Sequence, residues 1–220
     1  MIDQPLIDFE WVVNHLDDIA QRTGEHAFMV VVAVSIGLVV SFGLALLIRS
    51  NRAFHGPIMV AADIIYSIPS LALFALLIPF TGLSILTAEI ALVGYTLLVL
   101  VRNIVAGFDN VPAEVIEAAT GMGFTRWQRL VRIELPIALP VIVAGLRIAT
   151  VTTVGLVTVT SLIGLGGLGY FITTGGIDRF FTTSIYVGVA ASVAMAVVAD
   201  LLLLIVQRAL TPWARARAQG

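Results

Sequence analysis

The 220-residue sequence contains no cysteine and no lysine. Without cysteine it has no disulfide framework, no thiolate metal ligand and no cysteine nucleophile. Without lysine it has no Walker A loop, because that loop places a lysine on the nucleotide phosphates, and no Schiff-base chemistry. The histidines are scattered, with no carboxylate at metal-ligand spacing: His15, His26 and His55. We therefore expect no metal or cofactor in this chain, and no enzymatic use of ATP by it.

Charged residues are also scarce, at 12% of the chain against about 25% in soluble domains. Five apolar stretches each contain about 20 residues or more, enough to cross a bilayer core about 30 Å thick. Backbone amides in lipid must bond within their own segment, so each stretch is predicted to be a helix. The predicted fold class is an all-α membrane protein with five transmembrane helices, near residues 27–48, 58–78, 87–106, 137–163 and 184–208.

The arginines are distributed unevenly among the segments that connect these stretches. Nine of the twelve lie in three segments: 49–57, 102–136 and 208–220. Two lie in the other three segments: 1–26, 79–86 and 164–183. Cytoplasmic loops carry an excess of basic residues. The bias therefore predicts an external N-terminus, a cytoplasmic C-terminus and a cytoplasmic loop at residues 107–136.

The first 26 residues are acidic and lack the basic start of a signal peptide. Phe9, Val12, Val13, Leu16 and Ile19 recur at helical spacing, which predicts a short amphipathic helix on the membrane surface. The predicted organisation has an external amphipathic segment, a transmembrane domain that contains the cytoplasmic loop, and a cytoplasmic tail, at residues 1–26, 27–210 and 211–220 respectively.

Prolines and glycines interrupt the apolar stretches. Pro69 lies within the second stretch and is predicted to kink its helix, and Pro79 is predicted to end it. A glycine-rich connector follows the fourth stretch and is interpreted as a mobile outer loop or gate: Gly164, Gly166, Gly167 and Gly169. Three of these glycines match G-x-G-x-x-G, but they follow a membrane helix and not a strand, so we exclude dinucleotide binding.

Several polar residues lie within the apolar stretches. Asp63, Arg147 and Asp200 must pair or face water, because an unpaired charge at that depth is unfavourable by several kcal/mol. Their depths allow Arg147 to reach either carboxylate, and both a structural ion pair and a substrate contact stay open. The bend at Pro69 has the same two interpretations, packing or pathway lining, with hydroxyl groups from Tyr66, Ser67 and Ser70.

The loop at 107–136 is the longest polar insert between apolar stretches. Asp109 or Asn110 is predicted to cap a short helix, with Val115, Ala118 and Ala119 on its apolar face. From the residues alone, the favoured interpretation of this segment is an ordinary amphipathic helix on the protein surface. The arginines that follow at helical spacing suit lipid phosphates or an acidic partner: Arg126, Arg129 and Arg132.

The same loop carries a specific spacing of residues. Glu117, Ala118 and Ala119 are followed after three residues by Gly123, and after nine more by Ile133-x-Leu135-Pro136. This resembles the EAA loop of type I bacterial ABC-importer permeases at every position. The segments Asp63–Leu83 and Gly121–Thr150 resemble the osmoprotectant branch, which takes up glycine betaine, choline or carnitine. The resemblance covers roughly residues 27–210.

The resemblance implies a five-span, MetI-like permease in the bacterial inner membrane. It implies that the loop is a coupling helix, whose docking residues would be Val115, Glu117, Ala118, Ala119 and Gly123. The implied partners are two ATPase subunits that bind ATP and magnesium, a second permease chain, identical or related, and an extracytoplasmic solute-binding protein. Two alternatives stay open: the same role for another small solute such as an amino acid, and a membrane scaffold without an ATPase.

Overall fold

The computed structural model of the chain describes residues 6–213, and every regular element in that range is a helix, which confirms the all-α prediction. The α-helices are α1 (Phe9–Asn14), α2 (Leu16–Ser50), α3 (His55–Ser67), α4 (Ser70–Thr81), α5 (Ile85–Asp109), α6 (Ala113–Gly121), α7 (Arg126–Arg129), α8 (Leu135–Val159), α9 (Gly169–Ile172) and α10 (Thr182–Leu210). Short 3-10 or π-helical turns occur at Arg52–Phe54, Leu130–Glu134, Thr160–Ile163 and Thr173–Ile177. Residues 214–220 of the predicted tail lie outside the described residues, as do residues 1–5.

Within residues 6–213, four helical stretches are long and apolar enough to cross a membrane. They are α2, α5, the continuous stretch Arg126–Ile163 that contains α7 and α8, and α10. Arg52–Ser67 and α4 form a fifth candidate together, bent by 100° between them. Each of the five apolar stretches predicted from the sequence falls on one of these five elements.

The directions of α2 and α5 show that the bent pair crosses the membrane. Gly37 packs directly on Thr96, where a Cβ would overlap the threonine hydroxyl. Further along both helices, the guanidinium carbon of Arg49 lies 5.2 Å from the centre of the Phe108 ring. Residue numbers rise together in the two helices, so α2 and α5 run parallel. The segment between two parallel spans must return the chain to the opposite face, so α3 and α4 form one broken span.

Helix α2 is longer than the sequence predicted. Its 35 residues extend about 52 Å at about 1.5 Å per residue, well beyond a bilayer core of about 30 Å. The predicted boundary at residue 26 does not separate two helices, because no proline or turn interrupts the chain from Leu16 to Ser50. Within the predicted N-terminal segment, the short helix α1 ends at Asn14 and is separate from α2.

Pro69 breaks the second span completely, where the sequence predicted a kink. The preceding residue, Ile68, has extended backbone angles of φ −72° and ψ 129°, as expected for a residue whose helical conformation clashes with the following proline ring. The break leaves the carbonyl of Ile68 without a helical partner, and the hydroxyl of Tyr95 on α5 donates a hydrogen bond to it. The bend is therefore held by a side chain of the central helix.

Pro79 does not end α4, contrary to the sequence prediction. It lies inside the helix, which continues to Thr81. The chain leaves the helix at Gly82, which has a φ of 72°, a value that glycine adopts without steric strain. The glycine, and not the proline, therefore fixes the end of the helix.

Helix α5 lies at the centre of the fold, packed on α2, α3, α4 and α8. Small residues bring these helices close together; at Gly145 of α8, a Cβ would overlap the side chain of Asn103 on α5. Helix α10 differs, because its only buried residues are four small or polar ones: Thr183, Ser184, Gly188 and Ser192. Most of its apolar surface is therefore open to lipid or to another chain.

Candidate functional site

The polar loop between the third and fourth spans folds into the short helix α6. Pro112 precedes its first residue, Ala113, and Glu114 lies in the first turn, where the positive end of the helix dipole favours a carboxylate. Gly123 follows with a φ of 84° and lets the chain turn away. The predicted cap at Asp109 or Asn110 is wrong, because Asp109 is the last residue of α5 and its carboxylate pairs with Arg52.

One face of α6 is exposed. Glu114, Glu117, Ala118 and Gly121 are exposed and lie on one side of the helix at 3.6 residues per turn. On the opposite side Ala119 is only 1% exposed and Val115 is half-buried. Of the predicted docking residues, Glu117 and Ala118 therefore face outwards, whereas Val115 and Ala119 attach α6 to the rest of the chain.

A buried carboxylate connects α6 to the spans. Glu134 is fully buried and forms ion pairs with Arg49 of α2 and with Arg129 of α7. The Nε atom of Arg129 donates to Glu134 at 2.8 Å, and its Nη1 atom donates to the Thr120 hydroxyl of α6 at 2.9 Å. Thr120, Arg129, Glu134 and Arg49 form a continuous set of contacts from α6 to α2, which we call the Glu134 network.

Sequence reasoning missed the Glu134 network. Arg126, Arg129 and Arg132 were predicted to meet lipid phosphates or an acidic partner, yet Arg129 points inwards while Arg126 and Arg132 are exposed. Glu134 lies in the π-helical turn Leu130–Glu134, which shifts the register of the side chains relative to a regular helix. The sequence did contain one signal, because Glu134 is the single carboxylate between three arginines and an apolar stretch. A charged group so close to the membrane interior is expected to pair with another charge or to face water.

The intramembrane charges are paired between helices. Arg147 of α8 and Asp200 of α10 form two hydrogen bonds, each 2.8 Å long. Arg102 of α5 donates to Asp63 of α3 at 2.7 Å. The depths predicted from the sequence allowed Arg147 to pair with either Asp63 or Asp200. In the structure its partner is Asp200. The sequence did not predict the second pair, although Asp63 lies within one apolar stretch and Arg102 lies near the end of another.

Single and double replacements of the Arg147–Asp200 pair separate its two possible roles. We expect Arg147→Met alone to lower the melting temperature of the purified protein, because it leaves Asp200 unpaired in the membrane. The double variant Arg147→Met/Asp200→Leu should regain most of that loss, since apolar pairs replace ion pairs well. Solute uptake that recovers with the double variant indicates a structural pair, and a stable but inactive double variant indicates contact with the solute.

Glu89 is a buried carboxylate of another kind. It lies in α5 near its first residues, is 8% exposed, and neither of its carboxylate oxygens has a hydrogen-bond partner within residues 6–213. A buried carboxylate without a partner is unfavourable, so this position is unusual in the chain. In the sequence, Glu89 lies near the start of the third apolar stretch, and nothing around it indicates that it is buried.

The residues around the Pro69 break differ in their availability. Tyr66 and Ser67 are exposed and Ser70 is half-buried. The Ser67 hydroxyl donates to the backbone carbonyl of Asp63 at 2.7 Å, so its hydrogen is already used within the helix. Tyr66 packs edge-on against Tyr95, with ring centres 5.9 Å apart. A role of these residues in lining a pathway stays a prediction.

The glycine-rich connector forms hydrogen bonds with α2. The backbone N–H groups of Gly167 and Leu168 donate to Glu25 Oε2 at 3.0 Å and to His26 Nδ1 at 3.2 Å. The Nδ1 atom of His26 must therefore accept, so its Nε2 atom carries the hydrogen and donates to the Val154 carbonyl at 3.0 Å. Gly164 and Gly167 both have a φ of 79°. Gating by Gly164, Gly166, Gly167 and Gly169 stays a prediction.

The fold is similar to those of solved ABC transporter structures. A chain of the MetNI methionine ABC transporter, in a structure of inward-facing conformations, has a TM-score of 0.80 and 24% identity, covering 88% of this chain and 96% of that one. A chain of an amino acid ABC transporter has a TM-score of 0.76 and 19% identity, covering 92% of this chain and 98% of that one. At these identities the likeness shows the fold alone, and it agrees with the predicted MetI-like architecture.

Sequence relatives identify the family. The osmoprotectant import permease protein OsmW of Salmonella typhimurium is 35% identical over 207 residues, which cover 92% of this chain and 96% of the relative. The glycine betaine/carnitine/choline transport system permease protein OpuCB of Bacillus subtilis is 31% identical over 195 residues, 89% of each chain. Residues 28–216 match the family described as the binding-protein-dependent transport system inner membrane component. The chain therefore belongs to this family of multi-pass inner membrane transport proteins.

Proposed function

We propose that the chain is the permease subunit of an ATP-driven importer of compatible solutes, such as glycine betaine, choline or carnitine. The observation that carries this proposal is the 35% identity to an osmoprotectant import permease along 92% of the chain. The solute would pass along the bundle of spans, with the broken span at Pro69 and its neighbours Tyr66 and Ser70 as its proposed lining.

Energy for transport would come from a separate ATPase. The chain has no lysine and therefore no Walker A loop of its own. We assign the ATPase contact to the exposed face of α6, formed by Glu114, Glu117, Ala118 and Gly121, with Gly123 setting the turn that follows. ATP and magnesium would bind to two ATPase subunits. The Glu134 network would carry a movement of α6 to α2.

Two further partners and an orientation complete the proposal. A second permease chain, identical or related, would pack on part of the apolar surface that α10 leaves open, and lipid would cover the rest. A solute-binding protein would deliver solute at the face that holds α1 and the glycine-rich connector. The excess of arginine at the opposite face supports a cytoplasmic α6 and an external N-terminus.

Uptake by the reconstituted complex tests the proposed function. Proteoliposomes that contain the permease, its ATPase and its binding protein should take up radiolabelled glycine betaine only with ATP, and unlabelled choline or carnitine should compete. Competition by an amino acid alone would show that the importer serves another solute. Failure of the permease to co-purify with any ATPase would favour the membrane scaffold.

A further inference from the structure

A cavity of about 500 Å³ lies where α1 and the start of α2 meet the segment that follows the glycine-rich connector. This volume is within the range of about 300–1,000 Å³ that is typical of small-molecule sites. The cavity is at the opposite end of α2 from the Glu134 network. Aromatic and charged side chains share its lining, including Trp11, Asp18, Tyr170, Phe171, Arg179 and Phe181.

Aromatic rings form one wall of the cavity. Trp11 packs edge-on against Phe181 and Phe171, with ring centres 5.2 and 6.3 Å apart. Aromatic ring faces attract cations, including quaternary ammonium groups, through the negative charge of their π-systems. One face of Trp11 is covered by His15, whose ring is stacked on it with ring centres 4.2 Å apart, so a cation would meet the rest of the wall. The wall already holds one cation of the protein itself, since the guanidinium carbon of Arg22 lies 3.6 Å from the centre of the Tyr170 ring.

Two charges of opposite sign line the same cavity. Asp18 and Arg179 are both exposed, and within residues 6–213 the side chain of neither residue forms an ion pair or a hydrogen bond. Arg22 differs, because it stacks on Tyr170 and lies 3.6 Å from Glu25. The charges free to meet a ligand are therefore one carboxylate and one guanidinium, beside an aromatic wall.

We propose that this cavity binds a zwitterionic quaternary ammonium compound of the betaine class, before it enters the spans. Its ammonium group lies against Trp11 and Phe181 near Asp18, and its carboxylate pairs with Arg179. The inference rests on the proposed function, and it narrows the solute class. A compound such as choline, which has the cation but no carboxylate, leaves Arg179 unpaired and binds more weakly.

Direct solute binding tests this inference on the complex of permease and ATPase in lipid nanodiscs, without the binding protein. Equilibrium binding of radiolabelled glycine betaine is measured, with unlabelled choline as competitor. Phe181→Ala should weaken betaine binding at least tenfold, and Arg179→Gln should weaken it and also remove the preference over choline. The matched control is Phe180→Ala, since Phe180 is 92% exposed and does not line the cavity.

Three results would overturn the inference. The first is no saturable betaine binding by the wild-type complex; the second is unchanged binding in both Phe181→Ala and Arg179→Gln. The third is that these variants weaken only the capture of the binding protein, which would make the cavity a docking surface. Any of these results can occur while the complete importer takes up betaine. Absence of compatible-solute uptake by the complete wild-type importer would instead reject the proposed function.

Discussion

Replacing Glu134 with glutamine is expected to lower the free energy of unfolding by about 3–5 kcal/mol, the range observed when one partner is removed from a buried ion pair. The carboxylate is fully buried and faces two arginines, Arg49 and Arg129, whose side chains are only 30% and 20% exposed. Glutamine preserves the shape but leaves both guanidinium groups without a counter-charge. Thermal or denaturant unfolding of the purified protein in detergent measures the loss.

The matched control for this variant is Asp109→Asn. Asp109 pairs with Arg52, but the two side chains are 46% and 63% exposed, and exposed pairs contribute about 0–1 kcal/mol. Both changes remove one negative charge from a carboxylate that faces arginine. Equal destabilisation by the two variants would show that Glu134 does not organise this end of the molecule. Loss of ATP-driven uptake by Glu134→Gln beyond its loss of folded protein would support its role in transmission.

Replacing Glu117 with arginine is expected to abolish ATP-driven uptake and to reduce co-purification of the ATPase at least tenfold. Glu117 is exposed on α6, and the change reverses the charge at the centre of the proposed contact, where opposed like charges cost several kcal/mol. The protein itself should stay folded, because surface changes usually alter stability by less than about 0.5 kcal/mol. Tagged permease pulled down with its ATPase, followed by uptake in proteoliposomes, measures both effects.

Glu10→Arg provides the control for Glu117→Arg. Glu10 is also exposed on a helix, and its replacement makes the same change of charge at the opposite end of α2 from α6. It should leave ATPase co-purification unchanged. Wild-type uptake and co-purification in Glu117→Arg would reject the assignment of α6 as the ATPase contact.

The features that the sequence predicted correctly depend on local patterns. Five apolar stretches that are each long enough to cross a bilayer predict five membrane elements. This prediction does not depend on the exact residues at which the helices begin and end. A short helix was expected within the loop 107–136 from the helical spacing of Val115, Ala118 and Ala119, and α6 (Ala113–Gly121) contains these residues, although it begins later than the predicted cap.

The features that the sequence could not provide depend on how distant segments meet. Depth along a span placed Arg147 level with two carboxylates, and only the packing of α8 on α10 selects Asp200. The periodicity of α6 gave the spacing of Val115, Ala118 and Ala119 but not which side the body of the protein would cover. The π-helical turn before Glu134 changes the register by a local distortion that hydrophobic periodicity does not show.

The length of α2 has a mechanical consequence. One end of this helix binds Glu134 through Arg49, and the other end holds the glycine-rich connector through Glu25 and His26. These two points are about 36 Å apart along a helix that rises about 1.5 Å per residue, and no proline interrupts the helix between them. Helix α2 is therefore one uninterrupted helix that joins the two contacts, and we expect a tilt of α2 at one face of the membrane to displace the connector at the other face.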